Sequence, residues 1–590
     1  MKGFFNKVLW INLPERIYHA ENMDDDTLRQ TLGGKGLATR LLLERNPKGV
    51  EPLSPDNLVI LALGPVSDSR IYGSCRYGLF TKSPQTGLFS ESYSGGHVAE
   101  YMSRTGYDAF VLEGGSDVPV YLEISDQGVT FHEAQHLWGR ETYETEDAVK
   151  AELGTPKTGI ISIGPAGEHL VTFAVVENNY WRSAGRTGVG AVLGAKKVKA
   201  LAFHGEKRRP VADADGLAAF NRKIMAAGKG NKGVEGYRNF GTPMMVGLTN
   251  SLGAFPTRYW HEGSLEGWEH LSAERMQDQL KPVPKACSRC FMACGKLSEV
   301  RDGRHKGLKI EGPEYETIYA FGGLCLIKDL REIAYLNDLC DRLGLDTISA
   351  GNLCAFAMEA SEMGKIPEKI PYGDPDIAAS LLRDIADVRG LGEVLSRGIR
   401  HAAAQWDMED IAIHVKGLEP AGYDPRGLKG MGLAYATSSR GACHLRTTFY
   451  KAEVAGMLDG KGIAEQVEVF LDFENRLVLH DMLILCRFYR DLYPWEELSR
   501  IISVTTGMDL DRKGLGRMAS LVMDSTRIFN LREGLKASDD LLPERFFTEP
   551  VGEHKQTLDR ATFERSLREY YRQREWSEEG IPTRSSAADG

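Results

Sequence analysis

Cysteine is scarce in this chain: nine in 590 residues. That is too few for a disulfide scaffold, and a chain of this length, which buries about three quarters of its extended-state surface, needs none. Long apolar runs are missing too; none approaches the ~20 residues of a membrane span. The opening stretch Met1-Lys2-Gly3-Phe4-Phe5-Asn6-Lys7 has no extended apolar segment, no twin arginine and no small-residue cleavage site. The expected compartment is therefore the cytoplasm, where thiols stay reduced and can bind metal. Positive charge is in deficit, with 72 Lys and Arg against 82 Asp and Glu and a net charge of −10. That balance argues against nucleic acid as the main partner. No repeat array and no low-complexity block is visible, and the composition excludes a disordered chain and a fibre.

What is present in excess is glycine, 64 residues, or about 11% against a typical 7%. The glycines form short clusters between structured segments, as suits a backbone that must come close to something other than side chains. Residues 1 to about 205 read as strand-rich. Val8–Leu13, Leu58–Ala62, Ala109–Glu113 and Val118–Ile124 are short apolar or alternating runs, punctuated by turn signals such as Gly114-Gly115 and Asp126-Gln127-Gly128. From about residue 211 longer stretches with helical spacing take over, notably 329–343, 347–363, 377–387 and 462–486.

Cys287, Cys290 and Cys294 form a C-x2-C-x3-C loop after Pro284. Thiolates gathered by a tight loop bind zinc or an iron–sulfur cluster. Structural zinc takes two spaced pairs of ligands, and no second close Cys/His pair exists here. A cubane can take three ligands from one loop and a fourth from far away. The spacing therefore favours a cluster over zinc, and zinc over three thiols packed as small hydrophobes. The loop alone leaves Cys75, Cys325, Cys340, Cys354, Cys443 and Cys486 open as the fourth ligand.

The densest motif is Arg182-Ser183-Ala184-Gly185-Arg186-Thr187-Gly188 and its continuation to Gly194. Exposed N–H groups and two arginines suit phosphate, although a strand–turn connector would use the same residues. Gly73–Gly78 and Glu91–Gly96 share the style. Asp341-Arg342-Leu343-Gly344-Leu345-Asp346 closes one predicted helix, and Asp481-Met482-Leu483-Ile484-Leu485-Cys486 repeats Asp, Leu and Leu at the same offsets. Two ordinary amphipathic helix ends account for this on spacing alone. The functional alternative is a pair of related sites for two copies of one ligand, each Asp accepting from ring N–H donors. On that alternative Cys486 becomes a candidate cluster ligand.

Taken in order, these segments resemble the tungsten-dependent aldehyde:ferredoxin oxidoreductase family, in the manner of a bacterial-type catalytic subunit. The match is carried by Gly33-Gly34-Lys35-Gly36, Leu63-Gly64-Pro65, the 182–194 loop, the cysteine loop, Gly312–Thr317, Gly344–Ser349, Arg440–Arg446 and Asp481–Cys486. The resemblance implies an α+β fold: an N-terminal β-rich domain over 1–208 and helical domains over 209–417 and 418–575; the polar, Ser- and Gly-containing stretch over 576–590 reads as a flexible tail. It implies a tungsten or molybdenum ion held by two pterins whose phosphates meet at magnesium. By the same resemblance Arg76, Tyr93, Gly95, Arg182, Ser183, Ala184 and Arg186 lie against the phosphates and pterins. Asp341, Leu345 and Asp346 contact one pterin, and Arg446, Asp481, Leu485 and Arg487 lie by the other. Cys287, Cys290, Cys294 and Cys486 hold a [4Fe–4S] cluster. Where Tyr93 stands the family often has Asn, so a magnesium contact there would be through backbone only. No counterpart of the iron site some members carry at a dimer interface is found.

The implied activity is oxidation of aldehydes to carboxylic acids. Electrons pass through the cluster to ferredoxin or to an iron–sulfur or flavin/NAD-linked partner subunit, within a homodimer or hetero-oligomer. The chemistry calls for a carboxylate to activate water and an imidazole to donate to the aldehyde oxygen. Glu316 and His444 are the candidates, with Glu314 the rival carboxylate. Related branches reduce aromatic-ring thioesters. A non-catalytic iron–sulfur electron-transfer subunit is the alternative of another class, and such a relay needs no phosphate cradle.

Overall fold

Along Lys7–Asn12 (β1), Val8 and Trp10 face one way and Leu9 and Ile11 the other, and all four are buried. A strand apolar on both faces must lie between two layers. The computed structural model, which describes residues 1–553 and 555–583, shows those layers. β1, β2 (Ile17–Asn22), β3 (Val59–Ala62), β4 (Tyr77–Lys82), β5 (Phe89–Ser94) and β6 (Ala109–Glu113) form one sheet in the order β2-β1-β6-β3-β4-β5. β7 (Val120–Ser125), β8 (Gly128–Glu133), β9 (Gly159–Ser162), β10 (Val176–Asn178), β11 (Arg182–Ala184) and β12 (Val198–Phe203) form a second. One core joins the facing sides, with Leu9, Ile11, Leu61 and Phe110 against Leu122, Ile161, Leu201 and Phe203. The outer side of the first sheet packs on the helix Gly34–Arg45 through Leu37, Leu41 and Leu42. The outer side of the second packs on the helix Thr142–Leu153 through Val149.

Read from β8, the second sheet runs β8-β7-β12-β9-β10-β11, the order of the first strand for strand. The single parallel pair is β1 with β6 in one and β7 with β12 in the other. This internal two-fold relation, absent from the sequence as a repeat, extends to the helices. Leu330–Leu343 ends at left-handed Gly344, whose N–H bonds to Cys340 O, and Ile463–Leu483 ends at left-handed Ile484, whose N–H bonds to His480 O. Leu345 and Leu485 repeat the contact, donating to the same two carbonyls at 2.9 and 2.7 Å. Each helix end sits on a Gly-Pro turn that follows the third strand of its sheet. A Cβ on Gly64 would collide with Leu483 O, and one on Gly164 with Leu343 O. Asp346 N–H donates to Phe173 O at 3.3 Å and Cys486 N–H to Gly73 O at 2.9 Å. The repeated helix end is thus a pair of equivalent positions in the fold.

The helical remainder packs into two cores. One joins Ile318, Ile333 and Leu353 to Met431, Phe449 and Phe470, residues from both expected helical segments. The other sets the helix Ala214–Gly228 against Trp495–Thr506 and Arg512–Arg532. The tail expected from 576 onward starts as ordered chain. Trp576 is buried and donates to Asp524 Oδ1 at 2.7 Å, and Arg527 Nε donates to Gly580 O at 2.9 Å. An indole and a buried guanidinium outweigh the polar composition there; residues 584–590 lie outside the described residues. No helix among the described residues is long and apolar enough to cross a membrane.

Candidate active site

Between the sheet edge formed by β5 and β11 and the two equivalent helix ends lies a cavity of ≈ 340 Å³. Its walls carry Arg76, Tyr93, Ser183, Arg186, Asp341, Leu345, Asp346, Arg446, Asp481, Leu485 and Arg487, with Glu316, His444 and Cys486. The cofactor-contact residues derived from the sequence therefore converge, with three exceptions. Ala184 is buried in the core between the sheets. Gly95 faces the cysteine loop instead: a Cβ there would meet Cys287 Sγ at 3.1 Å. Arg182 is ion-paired to Glu311. Burial works against its charge, while Cys287, Cys294 and Glu314 support it. Expected at the phosphates, Arg182 is not on the cavity wall and lies within electrostatic reach of Cys287 and Cys294.

The other arginine of that loop is also committed. Arg186 donates from Nε to Asp346 Oδ2 at 3.1 Å, from Nη1 to Ala442 O at 3.1 Å and from Nη2 to Glu419 O at 2.8 Å. Asp346 also caps the next helix through Ile348 and Ser349 N–H. Arg186 thus ties the loop to two helical segments and has few donors left for a ligand.

A buried charge chain crosses the far wall. Lys35 Nζ meets Glu91 Oε1 at 3.0 Å, Glu91 Oε2 meets Arg446 Nη1 at 2.6 Å, and Asp481 Oδ2 takes both Arg446 Nη1 at 2.9 Å and Arg487. Burial resists the Glu91 charge, but Arg446, Lys35 and Arg440 hold its carboxyl well below the usual range. Arg446 also lies 5.0 Å over the Tyr93 ring. Tyr93 O accepts from Arg76 Nη2 at 2.9 Å. Despite burial, Arg440 Nε, Arg446 Nε and Arg487 Nη1 have no partner. Unsatisfied buried donors of this kind are costly unless a ligand meets them. On the opposite wall burial raises the Asp341 carboxyl well above its ordinary range, with Asp338 adding to the shift.

Glu316 and His444 meet on the cavity wall, Oε1 to Nε2 at 3.3 Å, with His444 12% and Glu316 18% exposed. Gly422 N–H donates to Glu316 Oε2 at 3.0 Å, while Glu316 Oε1 and His444 Nδ1 have no aligned hydrogen-bond partner. Burial pushes the Glu316 carboxyl up to about 8, against the Gly422 N–H and Arg186. Burial, then Arg186, Arg440, Arg446 and Arg487, hold the His444 imidazole well below its ordinary value. Tyr423 stacks on His444 at 5.6 Å and on Tyr450 at 4.4 Å. The rival Glu314 also reaches the cavity but accepts from Thr242 Oγ1.

Cys287, Cys290, Cys294 and Cys486 lie within electrostatic reach of one another, and Tyr489 OH donates to Cys290 Sγ at 3.5 Å. Among the described residues no three Cys, His, Asp or Glu close on a single ion; a cubane asks for less, because each thiolate takes its own iron corner. A fifth thiol joins them. Cys75 is buried and hydrogen-bonded to Cys287, which together with burial raises it well above the ordinary thiol range. Sequence left it one of six candidates, since nothing links Gly73-Ser74-Cys75 to the loop until the fold brings Gly73 N–H to Arg289 O at 3.1 Å. Cys443, another of the six, lies apart from the loop, beside Arg440. Burial pushes its thiol up, but Arg440 (Nη2 to Sγ 3.0 Å) and Arg446 bring it down to about 6.

Comparison with known proteins places the chain. Residues 8–205 match the model for the N-terminal domain of aldehyde ferredoxin oxidoreductase, and residues 219–589 that for its domains 2 and 3. A tungsten-containing aldehyde ferredoxin oxidoreductase of Thermococcus kodakarensis is 35% identical over 100% of this chain and 99% of its own length. One from Pyrococcus furiosus is 33% identical over 98% and 97%. At 27% identity the chain is also similar to an aliphatic sulfonate oxidoreductase, WOR-like subunit, of Pyrococcus furiosus. In fold it superposes on the active site complex BamBC of benzoyl coenzyme A reductase with 1,5-dienoyl-CoA, at TM-score 0.86 and 23% identity, covering 100% of this chain and 97% of that one.

Proposed function

From the premise that the chain belongs to the aldehyde ferredoxin oxidoreductase family and is an oxidoreductase, we propose that it oxidises aldehydes to carboxylic acids at a tungsten bis-pterin centre in this cavity. The observation that carries the reading is the Glu316–His444 pair on the wall of a cavity that also reaches Cys486. The residues fit the group: the partnerless donors of Arg440, Arg446 and Arg487 suit phosphate, and Asp341 and Asp481 at equivalent helix ends suit pterin N–H donors. When bound, the metal supplies Lewis acidity and accepts the two electrons.

The chain's own residues handle protons and position. With the proton on Glu316, its Oε1 can donate to His444 Nε2, leaving Nδ1–H free as donor to an aldehyde oxygen. With the proton gone, Nε2–H points at a carboxylate that can accept from water. Tyr423 and Tyr450 hold the imidazole plane and exclude water around it. Cys287, Cys290, Cys294 and Cys486 would hold a [4Fe–4S] cluster, which would supply one-electron transfer to ferredoxin or an iron–sulfur partner. Magnesium would belong to the same reading, as counter-ion to the pterin phosphates.

A relay without catalysis would need neither the carboxylate–imidazole pair nor the arginine cradle. Metal analysis of protein from native cells, with aldehyde-dependent reduction of benzyl viologen, tests the proposal. About four irons and one tungsten per chain, with turnover, are expected; iron without tungsten would leave only the relay.

A further inference from the structure

The cysteine loop is partly exposed around Cys290. Phe291, next to Cys290, is half-buried and packs edge-on between Tyr72 at 4.9 Å and Tyr489 at 5.2 Å. Its backbone N–H donates to Tyr489 OH at 3.1 Å, and the same hydroxyl reaches Cys290 Sγ. Tyr72, also half-buried, precedes Gly73, whose carbonyl holds Cys486 N–H. On the other side Phe291 fills the space left by Gly228, where a Cβ would meet its ring at 2.5 Å. One turn earlier on that helix Met225 is 42% exposed. An apolar centre thus lies directly over the Cys290 side of the thiol group.

Its rim is cationic. Arg70 is two residues before Tyr72, Arg289 lies between Cys287 and Cys290, and Lys229 and Lys232 follow Gly228; all four are exposed. None of them forms an ion pair with another described residue. The nearby carboxylate of Asp68 is already held by Arg104 and Arg208, and Glu235 is on the next turn after Lys232. Unpaired cations around a small apolar centre, on a chain of net charge −10, make a local positive field. Such a field attracts and orients an acidic partner.

We propose that this surface over Cys290 is the docking face for an acidic one-electron carrier protein of the ferredoxin kind. The inference rests on the electron route proposed above. Each encounter moves one electron from the reduced cluster to an oxidised carrier. One aldehyde, taking up the oxygen of one water and releasing two protons and two electrons, therefore reduces two carriers.

The test uses the holoenzyme and an acidic [4Fe–4S] ferredoxin. In Lys229→Glu/Lys232→Glu and in Arg70→Glu, the KM for ferredoxin should rise about tenfold or more, with saturated benzyl viologen turnover unchanged. Wild-type KM should rise with ionic strength, and the variants' should not. Lys461→Glu is the control: it lies just before the far end of the Ile463–Leu483 helix, about 30 Å away along its axis, and should leave KM unchanged. Ferredoxin Kd measured by titration should follow the same pattern whether or not aldehydes turn over. Failure of viologen turnover in the wild type would thus sink the aldehyde reading while the titration still decides the docking face. Unchanged ferredoxin KM and Kd in the lysine pair, or an equal loss with viologen, would overturn the proposal.

Discussion

Replacing Glu316 with Gln separates proton transfer from architecture. Gln keeps the length of the side chain and an oxygen to accept the Gly422 N–H, 3.0 Å away in the wild type. What it loses is the titration. Burial raises the wild-type carboxyl to about 8, and the proposed anionic cofactor would push in the same direction. If the ionised form accepts the proton of the attacking water, kcat/KM should climb about tenfold per pH unit below 8 and level off above it. At pH 7 about a tenth of the wild-type enzyme is then in the active form. Glu316→Gln should lose this limb and lie about 10²–10⁴-fold below the wild-type plateau.

Stability runs the other way. The folded carboxyl binds its proton more tightly than the unfolded one, whose ordinary value is 4.5. Its contribution is therefore present at acidic pH and lost as pH rises from about 4.5 to about 8. Above that window Glu316→Gln should be the more stable protein, and denaturant midpoints at pH 5 and 9 measure the difference. His444, held neutral throughout, adds no limb near 6.5. A wild-type limb near 6.5 that disappears in His444→Ala and persists in Glu316→Gln would refute the assignment. So would full turnover of a fully metallated Glu316→Gln enzyme with loss in Glu314→Gln.

Cys486→Ala should lose or convert the cluster, read as iron content and electron paramagnetic resonance, whereas Cys354→Ala, buried in the helix Thr347–Glu362, should keep it; Cys75→Ser should keep four irons and shift the reduction potential. Arg186→Ala should lower both pterin content and the unfolding midpoint, because Asp346 and Glu419 are left buried without their cation, a change that costs about 3–5 kcal/mol; retention of both quantities would make the loop a mere connector. Gly64→Ala and Gly164→Ala should each cost about 1–3 kcal/mol by driving a helix end off its turn, and a wild-type midpoint in either would contradict the close packing of the two helix ends.

Strands and helices were legible because their apolar positions repeat every two or every 3.6 residues, and the cysteine loop because three thiols at fixed spacing have few other uses. Glu316 and His444 came from the family resemblance, and the fold set them 3.3 Å apart. What sequence could not supply was the partner of each charged group. Arg182 and Arg186 sit in one glycine-rich motif, yet one is taken by Glu311 and the other by Asp346 and Glu419. Those acids arrive from distant segments. Lys35 and Glu91, 56 residues apart, and Cys75 beside Cys287 are likewise brought together only by the sheets. The two-fold relation was hidden because the two sheets share strand order and a Gly-Pro turn but little else.

That relation explains why the proposed cluster would attach to one side only. Positions 346 and 486 are equivalent: each follows its helix end by the same step, and each backbone N–H bonds to the matching turn, Phe173 O or Gly73 O. At one the side chain is Asp346, which caps the following helix and holds Arg186. At the other it is Cys486, which reaches the three-thiol loop. A carboxylate bound to a guanidinium and two backbone N–H groups has three of its roughly four lone-pair sites already used, and among the described residues its half of the fold carries no C-x2-C-x3-C loop. Exchanging the pair, Asp346→Cys with Cys486→Asp, should therefore abolish the cluster without building another, since nothing equivalent to Cys287, Cys290 and Cys294 faces position 346. Iron content of the double variant near zero is the expected result. A cluster retained at full occupancy would mean that Cys75 had taken the fourth position, because Cys75 is the remaining thiol already bonded to Cys287.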